Sequence, residues 1–185
     1  HVPPAHGAKT TGELSVMGPL ARSVDDLELA FDVTVGLDEK PGSGLRLELP
    51  SSAVDSPKQL RIGLWLGDDF CPVDKEILAG IEQAAKSLEA MGALVEEAKP
   101  AFSLAEHHET YLMNLSPIIA AGFGPDEIAM MERIAAASSP DDKSQTALQA
   151  RGSVLAHREW FLWNEIRAHL AEQWRAFFSD YDVLI

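Results

Sequence analysis

Ser153, His157 and Asp141 supply the hydroxyl, imidazole and carboxylate of a nucleophilic triad, in which the imidazole accepts the serine proton and the carboxylate holds the ring. The spacing permits such a triad and does not require it. Glu106-His107-His108-Glu109 carries metal-capable side chains, but adjacent histidines on a helix point about 100° apart, so a shared metal needs a third, distant ligand. A solvated helix start is the plainer expectation, and no metal site is assigned. His157 and His169 stand among Arg158, Glu159, Glu165 and Arg167, a setting that suits half-buried, hydrogen-bonded histidines. Arg151 and Arg158 can grip a carboxylate, although a surface ion pair is the simpler role. Trp160, Trp163, Trp174 and Met130-Met131 read as core or as a protein contact rather than as a cofactor box. No cofactor is expected, no catalytic residue is assigned, and the substrate-binding residues stay unassigned.

The elements that must position these groups are legible from spacing and punctuation. His1 to Gly12 has no period and reads as an irregular entry segment. Ser23 precedes Val24-Asp25-Asp26-Leu27, a serine cap with acids at the positive end of the helix dipole, and Val24, Leu27, Ala30, Phe31 and Val35 follow at helical spacing up to Gly36. Residues 37–59 form a long, proline- and glycine-marked connection, in which Gly42-Ser43-Gly44 is a flexible turn. Leu60 to Leu66 reads as a mostly buried strand. Asp74 then caps a helix whose apolar face is Ile77, Ile81, Ala84, Leu88 and Met91, and Gly92 ends it before a short strand from Ala93 to Ala98. Strand, helix and strand with short joins predict a right-handed parallel crossover.

Beyond Pro100 the pattern is helical. It predicts a helix from Leu104 to Ala121 interrupted at Pro117, a second from Pro125 to Ala137, a turn over Ser138 to Asp142, and one long helix from about Ser144 to Phe178. The buried stripe of that last helix is drawn by Leu148, Leu155, Leu162, Ile166, Leu170 and Phe177. Tyr181 to Ile185 reads as a strand that needs neighbours on both sides if it is buried. The fold class is therefore α/β, a small, mainly parallel sheet flanked by helices. In organisation, residues 1–59 are an entry segment, helix and connection, 60–99 the β-α-β unit, 100–180 a helical region and 181–185 a strand.

Nearly half of the residues are apolar and a quarter are charged, which suits a globular chain with one core. The formal net charge of -14 is spread along the chain and argues against a nucleic-acid partner. Cys71 is the single cysteine, so an internal disulfide and a cysteine-clustered zinc site are excluded, and a cytoplasmic setting is expected. No apolar run reaches the roughly 18 to 20 residues of a membrane span. The chain begins at His1 and stops on an apolar run, Val183-Leu184-Ile185, which points to a fragment of something larger.

The most specific string is Met17-Gly18-Pro19-Leu20-Ala21-Arg22-Ser23-Val24-Asp25-Asp26-Leu27. It closely resembles the Gly-Pro-apolar-x-Arg-Ser-Val-x-Asp-Leu stretch of the amidase-signature family (amidases and glutamyl-tRNA amidotransferase A subunits). Leu60-Arg61-Ile62-Gly63 with the following helix and Ala93-Leu94-Val95-Glu96-Glu97 looks like that family's "L-R-I-G … L-G-A-x-V-E" segment, and Tyr181-Asp182-Val183-Leu184 looks like its "Y-D-V-L" strand. Together the three span nearly the whole chain. Many members carry an aspartate three positions before the Gly-Pro, where this chain has Ser15, a departure that leaves the subfamily open.

The resemblance implies hydrolysis of an amide by a serine nucleophile activated through a second serine, held in a cis peptide, and a lysine that must be neutral to accept the proton. In the family's order all three precede the Gly-Pro string, so the resemblance implies a chain without them, inactive alone, whose partner is the missing remainder of the amidase domain and whose substrate is a small amide. Residues 104–158 would then help to choose that amide. Such a fragment is expected to leave open strand edges and apolar patches through which two copies can pair as a homodimer. The alternative is a self-sufficient α/β module that binds a ligand or a partner chain and catalyses nothing.

Overall fold

A computed structural model describes residues 14–36, 44–51 and 54–185. The entry segment from His1 to Gly12, and Gly42-Ser43 of the expected turn, lie outside the described residues. The chain divides into two compact units, His1–Ala53 and Val54–Ile185.

In the first unit, helix α1 spans Val24–Thr34. Ser23 caps it as expected, its Oγ accepting the Asp26 N–H at 3.2 Å. None of its residues is buried. Met17, Gly18 and Pro19 of the Gly-Pro string share a depression of about 500 Å³ with Phe31, Thr34 and Val35 at the end of α1.

The second unit opens with a single 3₁₀ turn at Pro57–Gln59 and then strand β1, Arg61–Leu64. Helix α2, Lys75–Ala90, is capped by Asp74, whose carboxylate accepts the Glu76 N–H at 2.8 Å. Gly92 supplies the left-handed backbone (φ +97°) that turns the chain into β2, Leu94–Glu97. A Cβ at Gly92 would also lie 2.7 Å from Cγ of Lys58. Then come α3 (Leu104–Ala120), α4 (Pro125–Ala137), α5 (Gln145–Ser153), α6 (His157–Asp180) and β3 (Val183–Leu184). The sheet order is β2-β1-β3 and both pairings are parallel, with Ile62 opposite Val95 on one side and Val183 on the other. The mixed α/β class with a small parallel sheet is thus the observed one.

The helical core forms where α3 packs on α5 and α6 and α4 packs on α5, and Phe177 of α6 meets the sheet at Gly63. Ile62 and Leu148 are almost wholly buried. The Phe177 ring lies directly on Gly63, where a Cβ would come within 2.6 Å of it. Gly152 similarly lets α5 approach α3, since a Cβ there would fall 2.8 Å from Ser116 Cβ.

Four expectations need correction. The long helix is two, α5 and α6: Gly152 is committed to α3, Val154 leaves helical geometry, and α6 restarts at Ala156, whose N–H is held by Glu159 Oε2 at 3.3 Å. Pro117 does not interrupt α3. It lies three residues from the helix end, where the missing N–H costs one hydrogen bond and little continuation. The inward face of α2 is Ala85 with the half-buried Leu78, Ile81 and Leu88, while Ile77, Ala84 and Met91 face outward. Finally, Leu162 of the expected buried stripe is exposed, whereas Leu170 and Phe177 are buried.

Candidate functional site

The helices of the second unit enclose a cleft of about 690 Å³, within the size range of small-molecule sites. Its walls come from α3 (Glu109, Met113), the α4–α5 turn (Lys143) and the start of α6 (Leu162, Trp163). Each wall is fixed by local bonds. Ser103 Oγ accepts the Glu106 N–H at the start of α3, and Ser144 Oγ accepts the Ala147 N–H at the start of α5. Asp142 accepts the Ser144 N–H at 2.8 Å, and its bonds to Ser144 hold its carboxyl below the ordinary carboxylate range.

The polar groups around this cleft are already engaged with one another. Lys143 Nζ donates to Glu109 across 34 positions of sequence. Arg151 donates through Nη1 to the carbonyls of Ser139 (2.7 Å) and Pro140 (3.3 Å) and through Nη2 to that of Asp142 (2.5 Å). The guanidinium therefore clamps the turn between α4 and α5, in place of the expected surface ion pair. Arg158 is exposed.

The triad residues do not meet. No hydrogen bond joins Ser153, His157 and Asp141, because the break between α5 and α6 separates the first two and Asp141 sits on the turn where Ser139 Oγ accepts its N–H. His157 is exposed and stacks on Trp160 with ring centroids 6.0 Å apart; His169 is exposed beside Glu172 at 3.7 Å. Neither is the half-buried histidine expected. In the Glu106–Glu109 stretch the side chains diverge: His107 stacks on Phe102 at 5.1 Å, His108 approaches Phe70 at 5.4 Å, and Glu109 pairs with Lys143. Among the described residues no three His, Cys, Asp or Glu side chains gather as a metal site. Trp160, Trp163 and Trp174 are each half-buried, as is Met131, while Met130 is exposed.

Sequence reading missed Thr110 and Asn114, both about 1% exposed on the inner face of α3. Asn114 Nδ2 donates to the Thr110 carbonyl (2.8 Å) and to the Trp163 carbonyl on α6 (3.2 Å), which ties α3 to α6 beside the cleft. The signal was present: two polar residues four apart inside an apolar run share one helix face.

The strings at the two ends of the second unit converge. Arg61 of Leu-Arg-Ile-Gly donates through Nη2 to Asp182 Oδ1 at 2.9 Å and through Nε to Oδ2 at 3.2 Å, and Asp182 belongs to Tyr-Asp-Val-Leu. A family model described as Amidase matches residues 1–185, the whole chain. The chain belongs to the amidase family. Similar proteins, named as glutamyl-tRNA(Gln) amidotransferase A subunits, include one from Saccharolobus solfataricus (33% identical over 87 residues, 46% of this chain and 18% of the relative). Others come from Thermosynechococcus vestitus (35% over 94 residues, 49% and 20%) and Clostridium botulinum strain Okra (37% over 89 residues, 45% and 18%). The matched stretch of this amidase-family chain is thus about a fifth of the relatives' length. No solved structure matches it. No described helix of the chain is long and apolar enough to cross a membrane.

Proposed function

We propose that this chain is a portion of an amide-hydrolysing enzyme and supplies its substrate-side wall rather than its nucleophile. The observation that carries the reading is the amidase family match over residues 1–185, with the family's three strings in order. In the family's order the nucleophilic serine, the bridging serine and the lysine come before Met17, so the catalytic step belongs to sequence outside the described units. The cleft between α3 and α6 takes most of its lining from residues 104–158, the region the resemblance assigns to choosing the amide, and the rest from Glu159, Leu162 and Trp163 just beyond it. A neutral small amide suits it: Glu109, Lys143, Arg151 and Glu159 sum to no net charge, and the rest of its lining is apolar.

The open edges of the sheet favour the same reading. Among the described residues β2 and β3 each pair on one side only, and Met91 of α2, together with Leu94 of β2, leaves apolar surface outward. The partner proposed for these edges is the remainder of the amidase domain, with a second copy of the chain as the substitute when the remainder is absent. Ammonia release from acetamide and benzamide tests the proposal. None is expected from this chain alone, and release by it would end the reading. Within a longer active form, Trp163→Ala is expected to change the ratio of rates on the two amides; an unchanged ratio would remove the cleft from substrate choice.

A further inference from the structure

We propose that His107 and Trp174 form a pH-sensitive latch between the start of α3 and the C-terminal half of α6. Trp174 Nε1–H donates to His107 Nε2 at 3.4 Å. Indole nitrogen can only donate, so this bond requires a lone pair on Nε2, with any ring proton on Nδ1. A second proton turns the acceptor into a donor, and two N–H groups then face one another across the seam. The stack of His107 on Phe102, 26° from parallel, tolerates the charge, because a cation over an aromatic face is attracted to it. Protonation therefore keeps the imidazole on Phe102 and releases Trp174.

The surroundings set the direction. The titratable group acting on His107 is His108, from α3 itself; the rings it meets on α6 and in the segment before α3, Trp174 and Phe102, carry no charge. Burial, and then the charge of His108, hold the His107 pKa below the ordinary histidine value. The latch is closed above about pH 6.5, the unfolded histidine pKa, and its stabilisation is lost as pH falls from there through the lower folded value. Trp174 in turn stacks on Phe178 at 5.7 Å and meets Phe177 edge-on, and Phe177 covers Gly63 of β1. Opening the latch thus loosens the aromatic wedge that seats α6 on the sheet.

Proton–nitrogen NMR of the 185-residue chain between about pH 7.5 and about pH 5 tests this. The Trp174 indole N–H is expected to shift with the same midpoint as the His107 imidazole, below that of free histidine. His107→Phe, which keeps the stack on Phe102 but neither accepts nor titrates, is expected to hold the indole at its released position throughout. His108→Gln keeps the latch and is expected to move the His107 midpoint upward. A His107 midpoint at or above that of free histidine, or an indole resonance that does not move with it, overturns the latch.

Discussion

Arg61 grips Asp182 with both prongs of its guanidinium although 121 positions of sequence separate them, and the backbone repeats the grip, Arg61 N–H donating to Asp182 Oδ2 at 2.8 Å and Asp182 N–H to the Arg61 carbonyl at 2.8 Å. Arg61 Nη1 also reaches the Ser179 carbonyl at the end of α6. This pairing fixes where β3 enters beside β1, and so sets the register in which Ile62 faces Val183. Two of the strings that mark the family are therefore the two halves of one structural joint.

The joint predicts an acid dependence. The hydrogen bond from Arg61 holds the Asp182 carboxyl below its ordinary value, so the folded state gives up that proton more readily than the unfolded chain. The stabilisation is present above the unfolded aspartate pKa of about 3.9 and is lost as pH falls through the lower folded value. Urea midpoints should fall across that window for the natural chain and stay flatter for Asp182→Asn, which is weaker at neutral pH. Parallel curves for the two would contradict the assignment.

Gly63→Ala should destabilise the second unit by about 1–3 kcal/mol, since the new methyl meets the Phe177 ring and the helix must lift from the sheet. Gly152→Ala should cost a similar amount, by pushing α5 from Ser116 and the Leu112 carbonyl. Chemical denaturation followed by circular dichroism reads both. Unchanged midpoints would show that these close approaches are not limiting.

Arg151→Ala should destabilise the chain by about 1–2 kcal/mol through loss of the clamp on the Ser139 to Asp142 carbonyls, with the partly exposed site keeping the figure low. Faster hydrogen exchange confined to residues 139–145 is the expected signature. An effect on ligand affinity with no change in exchange would return Arg151 to the role of a carboxylate-binding residue.

Leu148→Ala should cost about 2–5 kcal/mol, because Leu148 is 1% exposed in the packing of α5 against its neighbours. Leu162→Ala, at an exposed position on the cleft, should stay within about 0.5 kcal/mol. Comparable losses for the two would mean that the single stripe read from the sequence was correct and that α6 is differently rotated.

What could be read from sequence here is what is fixed locally. Ser23, Asp74 and Gly92 act within one turn of themselves, and each lies where its cap or turn chemistry placed it. The break between α5 and α6 depends on Gly152 touching Ser116, a contact 36 positions away that no local pattern announces. The phase of α2 was misread because Ile77-Leu78 and Ala84-Ala85 are doublets, and doublets at that spacing draw two adjacent stripes. The cleft was illegible for the same reason as the break: Glu109 meets Lys143, and Asn114 meets the Trp163 carbonyl, only after α3 has packed on α5 and α6. The spacing of Ser153 and His157 permits a triad without requiring one, and the two stand on different helices, α5 and α6.

The most direct test expresses the complete gene containing this sequence beside the 185-residue chain, records the intact mass of each, and assays both for ammonia release from simple amides. The expected result is a longer product that hydrolyses amides and a 185-residue chain that does not. Hydrolysis by the 185-residue chain alone, or a complete gene that encodes nothing more, would contradict the fragment reading and reopen Ser153 and His157 as chemistry.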